Sequence, residues 1–384
     1  MSAPLSGITV VSIEQAVSVP FATRQLADLG ATVVKVERTG GGDFARHYDG
    51  NVEGQSAFFV WANRGKSSVV IDTKAEAGRA QLDALIGGAD VYLHNLSPDA
   101  ARRARLDADS VRAGYPTIIA GEVSGYGEGG PRSSDKAYDL AIQAEAGVFD
   151  VTGDGTMQAK VGLSIADIAA SMYLFSGVLA ALVRRERTGE GATVKVSMLE
   201  ALTEWMQAPL LNAHAIGRTP TRTARRHASI APYGTFSLAD GTRVLLAIQN
   251  NAEFARFCAT VLNDPRIAAD ERFATNEARI EHVDALERLI SDAFDAGSAT
   301  AIRSRLAAAD VAVAHVNTLQ QVWNHDQLRA RNRFVETTLP GGATVETLKL
   351  PIDIDGLPGP VAVVPALGQT LGQMLGQTLG QTLG

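Results

Sequence analysis

From Ile8 to Val123 the chain alternates short β-branched runs with amphipathic stretches, and that rhythm leaves few ways to build a core. Strands are predicted at Ile8–Ile13, Thr32–Val36, Ser67–Ile71, Val91–His94 and Thr117–Val123. Between them, helices are predicted over Pro20–Leu29, Glu76–Gly87 and Asp107–Ala113. Alternation of this kind builds βαβ units, a mostly parallel sheet and right-handed crossovers. Gly30 stands where a helix hands over to a strand and suits the left-handed C′ position. Ligands of such sheets collect at the carboxyl ends of the strands. The first strand-to-helix turn, Gln15 to Pro20, holds no glycine, and Gly40-Gly41-Gly42 follows the second strand instead. A dinucleotide site needs glycines in that first turn so that backbone can approach a pyrophosphate. No complete Gly-x4-Gly-Lys-Ser/Thr phosphate loop is present, since Val60 stands where Gly65-Lys66-Ser67 would need its first glycine, and no Gly-x-Ser-x-Gly elbow occurs, which disfavours nucleotide triphosphatases and serine hydrolases.

Beyond Tyr138 the chain turns largely helical, around one long apolar helix predicted over Ile165–Arg187. Arg184, Arg185 and Arg187 suit its negative end, and Gly189 and Gly191 close it. A Thr- and Arg-rich stretch from Gly217 reads as a linker. A smaller α/β unit begins at Tyr233 with the hairpin Tyr233–Leu238 and Arg243–Ile248, turned by Asp240-Gly241. Helices are expected at Asn251–Leu262, Asn276–Ala296 and Ser298–Ala309, and final strands at Thr337–Leu339 and Ala343–Leu348. From Leu367 the chain repeats Leu-Gly-Gln-Thr, a low-complexity tail in which a glycine every fourth residue undercuts a helix.

Charge and cysteine usage narrow the partners. The 42 acidic residues outnumber the 35 basic ones, which argues against nucleic acid, whose phosphates require a basic face. The single cysteine, Cys258, allows no disulfide within the chain and no thiolate metal cluster, and the seven histidines show no ligand spacing. The uncharged run Ile168–Val183 falls short of the roughly 18 residues of a membrane span and carries Ser171, Ser176 and Gly177. With no basic-then-apolar leader at Met1, a cytoplasmic location and no membrane partner are expected.

Asp167 is the candidate for chemistry. It lies in the first turn of the long helix, where unpaired amides and the helix dipole favour an ionised carboxylate. Such a group can attack an activated acyl carbon. The competing reading is structural: a capping box with Ser164 as N-cap and Asp167 at N3. Basic residues recur after successive strands (Lys35 and Arg38, Arg64 and Lys66, Lys74, Arg102 and Arg103, Lys136) and suggest a phosphate-bearing ligand.

In this order, several segments resemble the family III CoA-transferases, the group that includes formyl-CoA transferase, carnitine CoA-transferase and α-methylacyl-CoA racemase. They are Ala27–Ala31, Lys35–Arg38, Gly42-Asp43, Asn63–Lys66, Gly125-Tyr126-Gly127, Lys136–Asp139, the Asp167 segment, Thr188–Gly191 and Val196–Glu200. The resemblance implies an α/β fold with a large Rossmann-like parallel-sheet domain and a smaller α/β domain, paired as an interlocked, ring-like homodimer. It implies a large domain built from residues 1–216 and 328–384, a linker at 217–232 and a small domain at 233–327. It also implies that Asp167 attacks an acyl-CoA thioester and that a small carboxylic acid accepts the CoA. Coenzyme A is then a substrate, with no tightly bound cofactor and no metal. Family positions for CoA fall on Val17, Ser18, Arg38, Ile71, Asp72, Thr73, Lys74, Asn95, Leu96, Ser97, Arg103, Lys136, Ala137, Tyr138 and Asp139.

Two alternatives remain at this level. A 2-methylacyl-CoA racemase or epimerase needs a histidine as second acid/base just ahead of Asp139, and this chain has Tyr138 there. A catalytically silent CoA-binding homologue would keep the fold and lose the acyl-enzyme. Arg225, Arg226 and His227 offer cations for the second carboxylate of a dicarboxylic acceptor such as succinate, mesaconate or citramalate.

Overall fold

The structure is a computed structural model describing residues 3–217, 219 and 221–368. The repeat from Gln369 onward lies outside the described residues. The chain divides into two units. The first takes residues up to Val148, then Lys160–Leu210, and resumes at Gln327; the second takes Phe149–Ala159 and Leu211–Asp326.

In the first unit six strands form one wholly parallel sheet: β1 (Thr9–Ile13), β2 (Thr32–Glu37), β3 (Lys66–Val70), β4 (Val91–His94), β5 (Ile119–Ser124) and β6 (Ala192–Ser197). Their order is β3-β2-β1-β4-β5-β6, so the winding reverses between β1 and β4. Doubly wound sheets open a crevice at that switch point, beyond the carboxyl ends of the strands. The intervening helices are α1 (Ser18–Asp28), α2 (Ala57–Asn63), α3 (Glu76–Gly87), α4 (Pro98–Ala104), α5 (Ala108–Gly114), α6 (Asp139–Glu145), the single turn α7 (Val148–Val151) and α8 (Ile165–Thr188). Gly30 takes φ +99° just after α1, as a C′ residue requires.

α8 packs beside α1 against β5 and β6, burying Ala166, Ala169, Ala170, Leu174 and Val178. It can lie this close because β5 offers Gly121, where a Cβ would stand 3.0 Å from Leu174 and 2.6 Å from Leu93. Its 24 residues are long and apolar enough to cross a membrane by composition, beyond the shorter run that the sequence suggests. Its buried face belongs to the sheet core. The other face of the sheet buries Val11, Val34, Val36, Ile71, Leu82, Ile86 and Tyr92 as one apolar cluster.

The chain continues through α9 (Met198–Trp205) and α10 (Gln207–Ile216). In the second unit β7 (Tyr233–Ser237) and β8 (Arg243–Ala247) form the expected hairpin, and β9 (Ala312–His315) adds an antiparallel third strand. Helices α11 (Asn251–Thr260), α12 (Asn276–Glu281), α13 (Val283–Asp295) and α14 (Ala299–Ala308) pack over it around Phe254, Phe257, Phe273, Ile290 and Phe294. The helix expected over Asn276–Ala296 is broken at His282, which leaves helical geometry at φ −104°, ψ 25°. Residues 149–159 fall within this second unit, where Arg222 binds the Asp150, Asp154 and Gly155 carbonyls.

The hairpin β10 (Phe334–Thr338) and β11 (Thr344–Leu348) returns to the first unit. Buried Arg64 ties it down, donating to Leu348 O at 2.6 Å and pairing with Asp28 of α1 at 2.8 Å.

Candidate active site

The site is built from the switch point outward. Asn95, just past β4, bridges to the β1–α1 turn: its Oδ1 accepts from Gln15 N at 2.9 Å and its Nδ2 donates to Gln15 O at 2.8 Å. The same Nδ2 donates to Ser18 Oγ at 3.0 Å. Asp43 holds the turn from the other side, accepting from Ala16 N at 3.1 Å on Oδ1 and from Lys35 Nζ at 2.8 Å on Oδ2. Ala16 sits at φ +60°, a left-handed conformation that a non-glycine residue keeps only when its surroundings impose it.

Behind Asp43 lies a dry cluster of charge. Glu14 accepts from Lys66 Nζ at 2.7 Å and from Thr23 at 2.7 Å, and Lys35 Nζ lies 3.4 Å away; the side chains of Glu14, Lys35 and Lys66 are fully buried. Burial pushes the Glu14 carboxyl up, but Lys66 and Lys35 outweigh it and hold the group below its ordinary value. Glu37 is pulled down to about 2: burial opposes, while bonds from Arg46 and Ser68 and the charge of Lys35 prevail. Lys35, Arg64 and Lys66, three of the cations that suggested a phosphate ligand, are therefore spent inside the fold. A local sequence signal cannot separate a cation aimed inward at a distant carboxylate from one aimed at solvent.

Arg38, Lys74, Arg103 and Lys136 are exposed, and among the described residues none has an ion-pair partner. Arg38, Ile71, Thr73 and Leu96 line a recess of about 110 Å³ at the ends of β1 to β4, together with Gln15 and Asp43. Asp72 and Lys74 continue the Ile71 loop, where Asp72 Oδ1 accepts Lys74 N at 3.0 Å. Ser97 opens α4, and Arg103 lies further along that helix. Lys136, Ala137 and Tyr138 form the approach to α6. Ala137 packs on Gly125, where an added Cβ would stand 2.1 Å away, and Tyr138 is 70% exposed. Val17 is buried.

Asp167 is partly buried in the first turn of α8. The Ser164 side chain makes no capping bond. The cap comes instead from Asp139, whose Oδ1 accepts from Ala166 N at 2.8 Å and from Asp167 N at 3.4 Å. Asp139 Oδ2 accepts from Gln143 Nε2 at 2.7 Å, one turn along α6, so both of its oxygens are engaged. This arrangement reverses the expectation of an acidic Asp167. The helix amides are already neutralised by another carboxylate, so their field does not favour a second charge. Burial first, and then Asp139, raise the Asp167 carboxyl from 3.8 to about 7, and a hydrogen bond with Ser18 pulls the other way. A carboxyl poised near neutrality beside the turn that follows β1 has the signature of a reacting group.

The sequence reading did not single out Tyr48. It follows the 3₁₀ turn Phe44–His47, is half exposed, and sits edge-on to Phe58 with ring centres 5.7 Å apart. Phe58 meets Trp61 at 6.4 Å and Trp61 meets Phe21 at 4.8 Å, which makes an aromatic wall. The Tyr48 phenol is pushed up to about 12 by burial, then by the charges of Asp43, Asp167 and Tyr138. The only sequence signal was aromatic density between Phe44 and Trp61, without a period to say which rings share a face.

Among the described residues no three His, Cys, Asp or Glu side chains converge as a metal site. In the second unit Arg226 is taken by Asp284 at 2.8 Å and Glu287 at 3.2 Å, and His227 stacks on Tyr233.

The sequence matches CoA-transferase family III over residues 5–370. It is 31% identical to the succinate–glutarate CoA-transferase of Agrobacterium fabrum over 92% of this chain and 90% of that protein. It is 32% identical to the acetyl-CoA:oxalate CoA-transferase of Acetobacter aceti over 93% of this chain and 90% of that protein. A CaiB/BaiF family protein from Brucella suis has the same fold, with a TM-score of 0.85 and 30% identity, covering 98% of this chain and all of that one. The chain belongs to CoA-transferase family III, and the protein is a transferase acting on CoA thioesters.

Proposed function

We propose that the protein moves CoA from an acyl-CoA donor to a small dicarboxylic acid through covalent intermediates on Asp167. The observation that carries this is the Asp167 carboxyl raised to about 7 at the carboxyl edge of a doubly wound sheet, with unpaired cations along the same edge. A carboxylate oxygen of Asp167 attacks the thioester carbon, the C–S bond breaks, and the CoA thiolate leaves with the electron pair. The leaving thiol has a pKa of ~8.5, so its expulsion is easy. The thiolate then attacks the aspartyl carbonyl of the mixed anhydride and the donor acid departs, leaving CoA on Asp167 as a thioester. The acceptor carboxylate attacks that thioester, and the released thiolate takes the acceptor acyl group from the second anhydride. Every step conserves the activated acyl bond. The aromatic wall of Tyr48 and Phe58 keeps water from the anhydride, which would otherwise hydrolyse.

Arg38, Lys74, Arg103 and Lys136 meet the phosphates of CoA in this reading, and Ile71, Thr73 and Leu96 line the recess beneath its nucleotide. A dicarboxylic acceptor follows from the names of the two relatives, each over 30% identical, which act on succinate, glutarate or oxalate. We extend the proposal to a homodimer. α10 buries none of its residues although Leu210, Leu211 and Ile216 are apolar, and such a face fits a second copy.

The test incubates the protein with succinyl-CoA and hydroxylamine and reads the Asp167 peptide by mass spectrometry. A hydroxamate on Asp167, with loss of acid exchange in Asp167→Ala, is expected. Exchange that survives in Asp167→Ala overturns the proposal.

A further inference from the structure

Ser18 stands among the positions that family resemblance assigns to CoA, yet it is only 4% exposed. Its hydrogen bonds give it a different task. A serine hydroxyl has one proton to donate and two lone pairs to accept with. Asn95 Nδ2 fills an acceptor position at 3.0 Å. That amide cannot turn over, because the Gln15 N–H requires an oxygen where Oδ1 stands and the Gln15 carbonyl requires an N–H. The Ser18 proton is thus directed away from Asn95, and Asp167 lies next to Ser18, because the Ser171 hydroxyl binds the Ser18 and Asp167 carbonyls alike. The backbone fixes the approach as well: Ser18 O accepts from the hydroxyl of Ser171, one turn beyond Asp167 on α8. The first turns of α1 and α8 are locked together at this point. Upstream, Asp43 holds Ala16 at φ +60°, the strained turn that delivers Ser18 to the acid.

We propose that Ser18 is a positioning residue for the nucleophile: its hydroxyl, oriented by Asn95, holds one oxygen of Asp167 and presents the other to the thioester. This assignment rests on Asp167 as the nucleophile. The groups facing Asp167 are Asp139 at the start of α6, Ser18 on α1 and Tyr48 after the 3₁₀ turn, with Tyr138 beside Tyr48. Asp139 and burial favour the protonated acid, and Ser18 alone of these favours the carboxylate. When the thiolate attacks the aspartyl carbonyl, the same hydroxyl faces the oxygen that gains charge and stabilises it.

The test follows acid exchange against pH in wild type, Ser18→Ala, Ser18→Thr and Asp167→Ala. Ser18→Ala should move the acidic limb of kcat/KM up by about one pH unit and lower the rate at neutral pH about tenfold. KM for acyl-CoA should stay within about twofold, since uniform substrate binding is untouched. Ser18→Thr, which keeps the hydroxyl, should restore the limb, a rescue that a merely structural defect would not give. An unmoved limb in Ser18→Ala overturns the assignment, and an unmoved limb with raised KM identifies Ser18 as a CoA contact instead. Exchange that persists in Asp167→Ala overturns the underlying reading, whereas loss of exchange there with an unmoved Ser18→Ala limb overturns only the role of Ser18.

Discussion

Replacing Asp167 by Asn should abolish exchange and at the same time make the protein more stable above pH 7. The folded protein raises this carboxyl from 3.8 to about 7, through burial and through Asp139. Between those two values the native state keeps a proton that the unfolded chain has released, so stability declines as pH rises across the window. The penalty is absent below 3.8 and complete above 7. Three pKa units correspond to ~4 kcal/mol, an upper figure because Asp167 is only partly buried, and about 2–4 kcal/mol is the expected gain. Asparagine keeps the shape and carries no charge to repel Asp139. The assay is urea denaturation of both proteins at a series of pH values, read as the difference between them so that every other titrating group cancels. The difference should be near zero in acid, grow through the window and level off above it. A difference independent of pH, or a variant less stable than wild type above pH 7, would refute the argument that Asp167 is strained for reactivity.

Other expectations follow from the same coordinates. Since the nucleophile is the ionised form, kcat/KM for exchange should fall as pH drops through about 7, and a limb in the ordinary carboxylate range would contradict the raised value. Glu14→Ala leaves Lys66 with only neutral acceptors, Pro20 O and Asn63 Oδ1, both at 2.9 Å, and should cost about 3–5 kcal/mol in chemical denaturation. Gly78→Ala puts a methyl 2.1 Å from the Asp72 carbonyl, displacing the Ile71–Lys74 loop; KM for acyl-CoA should rise severalfold with little change in kcat. Arg38→Ala should also raise that KM, with an effect that shrinks in high salt; insensitivity to salt would remove Arg38 from the phosphate contacts.

Much of the first unit was legible locally. β1 to β5 and the helices α1, α3 and α5 announce themselves through β-branched runs, periodic apolar positions and the C′ Gly30, because those signals act within a turn or a strand, whereas the short α2 and α4 were not read. α8 was equally plain, since an apolar run of its length must be buried. Two local readings failed. Ser164 suits an N-cap, yet the Asp139 carboxylate reaches the same amides from 27 residues away and makes a stronger, charge-assisted bond. Asn276–Ala296 is helical by composition throughout, yet the chain breaks it at His282.

Local signals along the chain were enough for the alternation that makes a parallel sheet, the place of Asp167 at a helix start and the family to which the chain belongs. Which cations remain outside depended on packing, since Lys35, Lys66 and Arg64 meet carboxylates distant in sequence or on other strands. Packing also decided the state of the acid. A pKa is set by what surrounds a group in space, and Ser18, Asp139 and Tyr48 come from three separate elements that the sheet's switch point brings together.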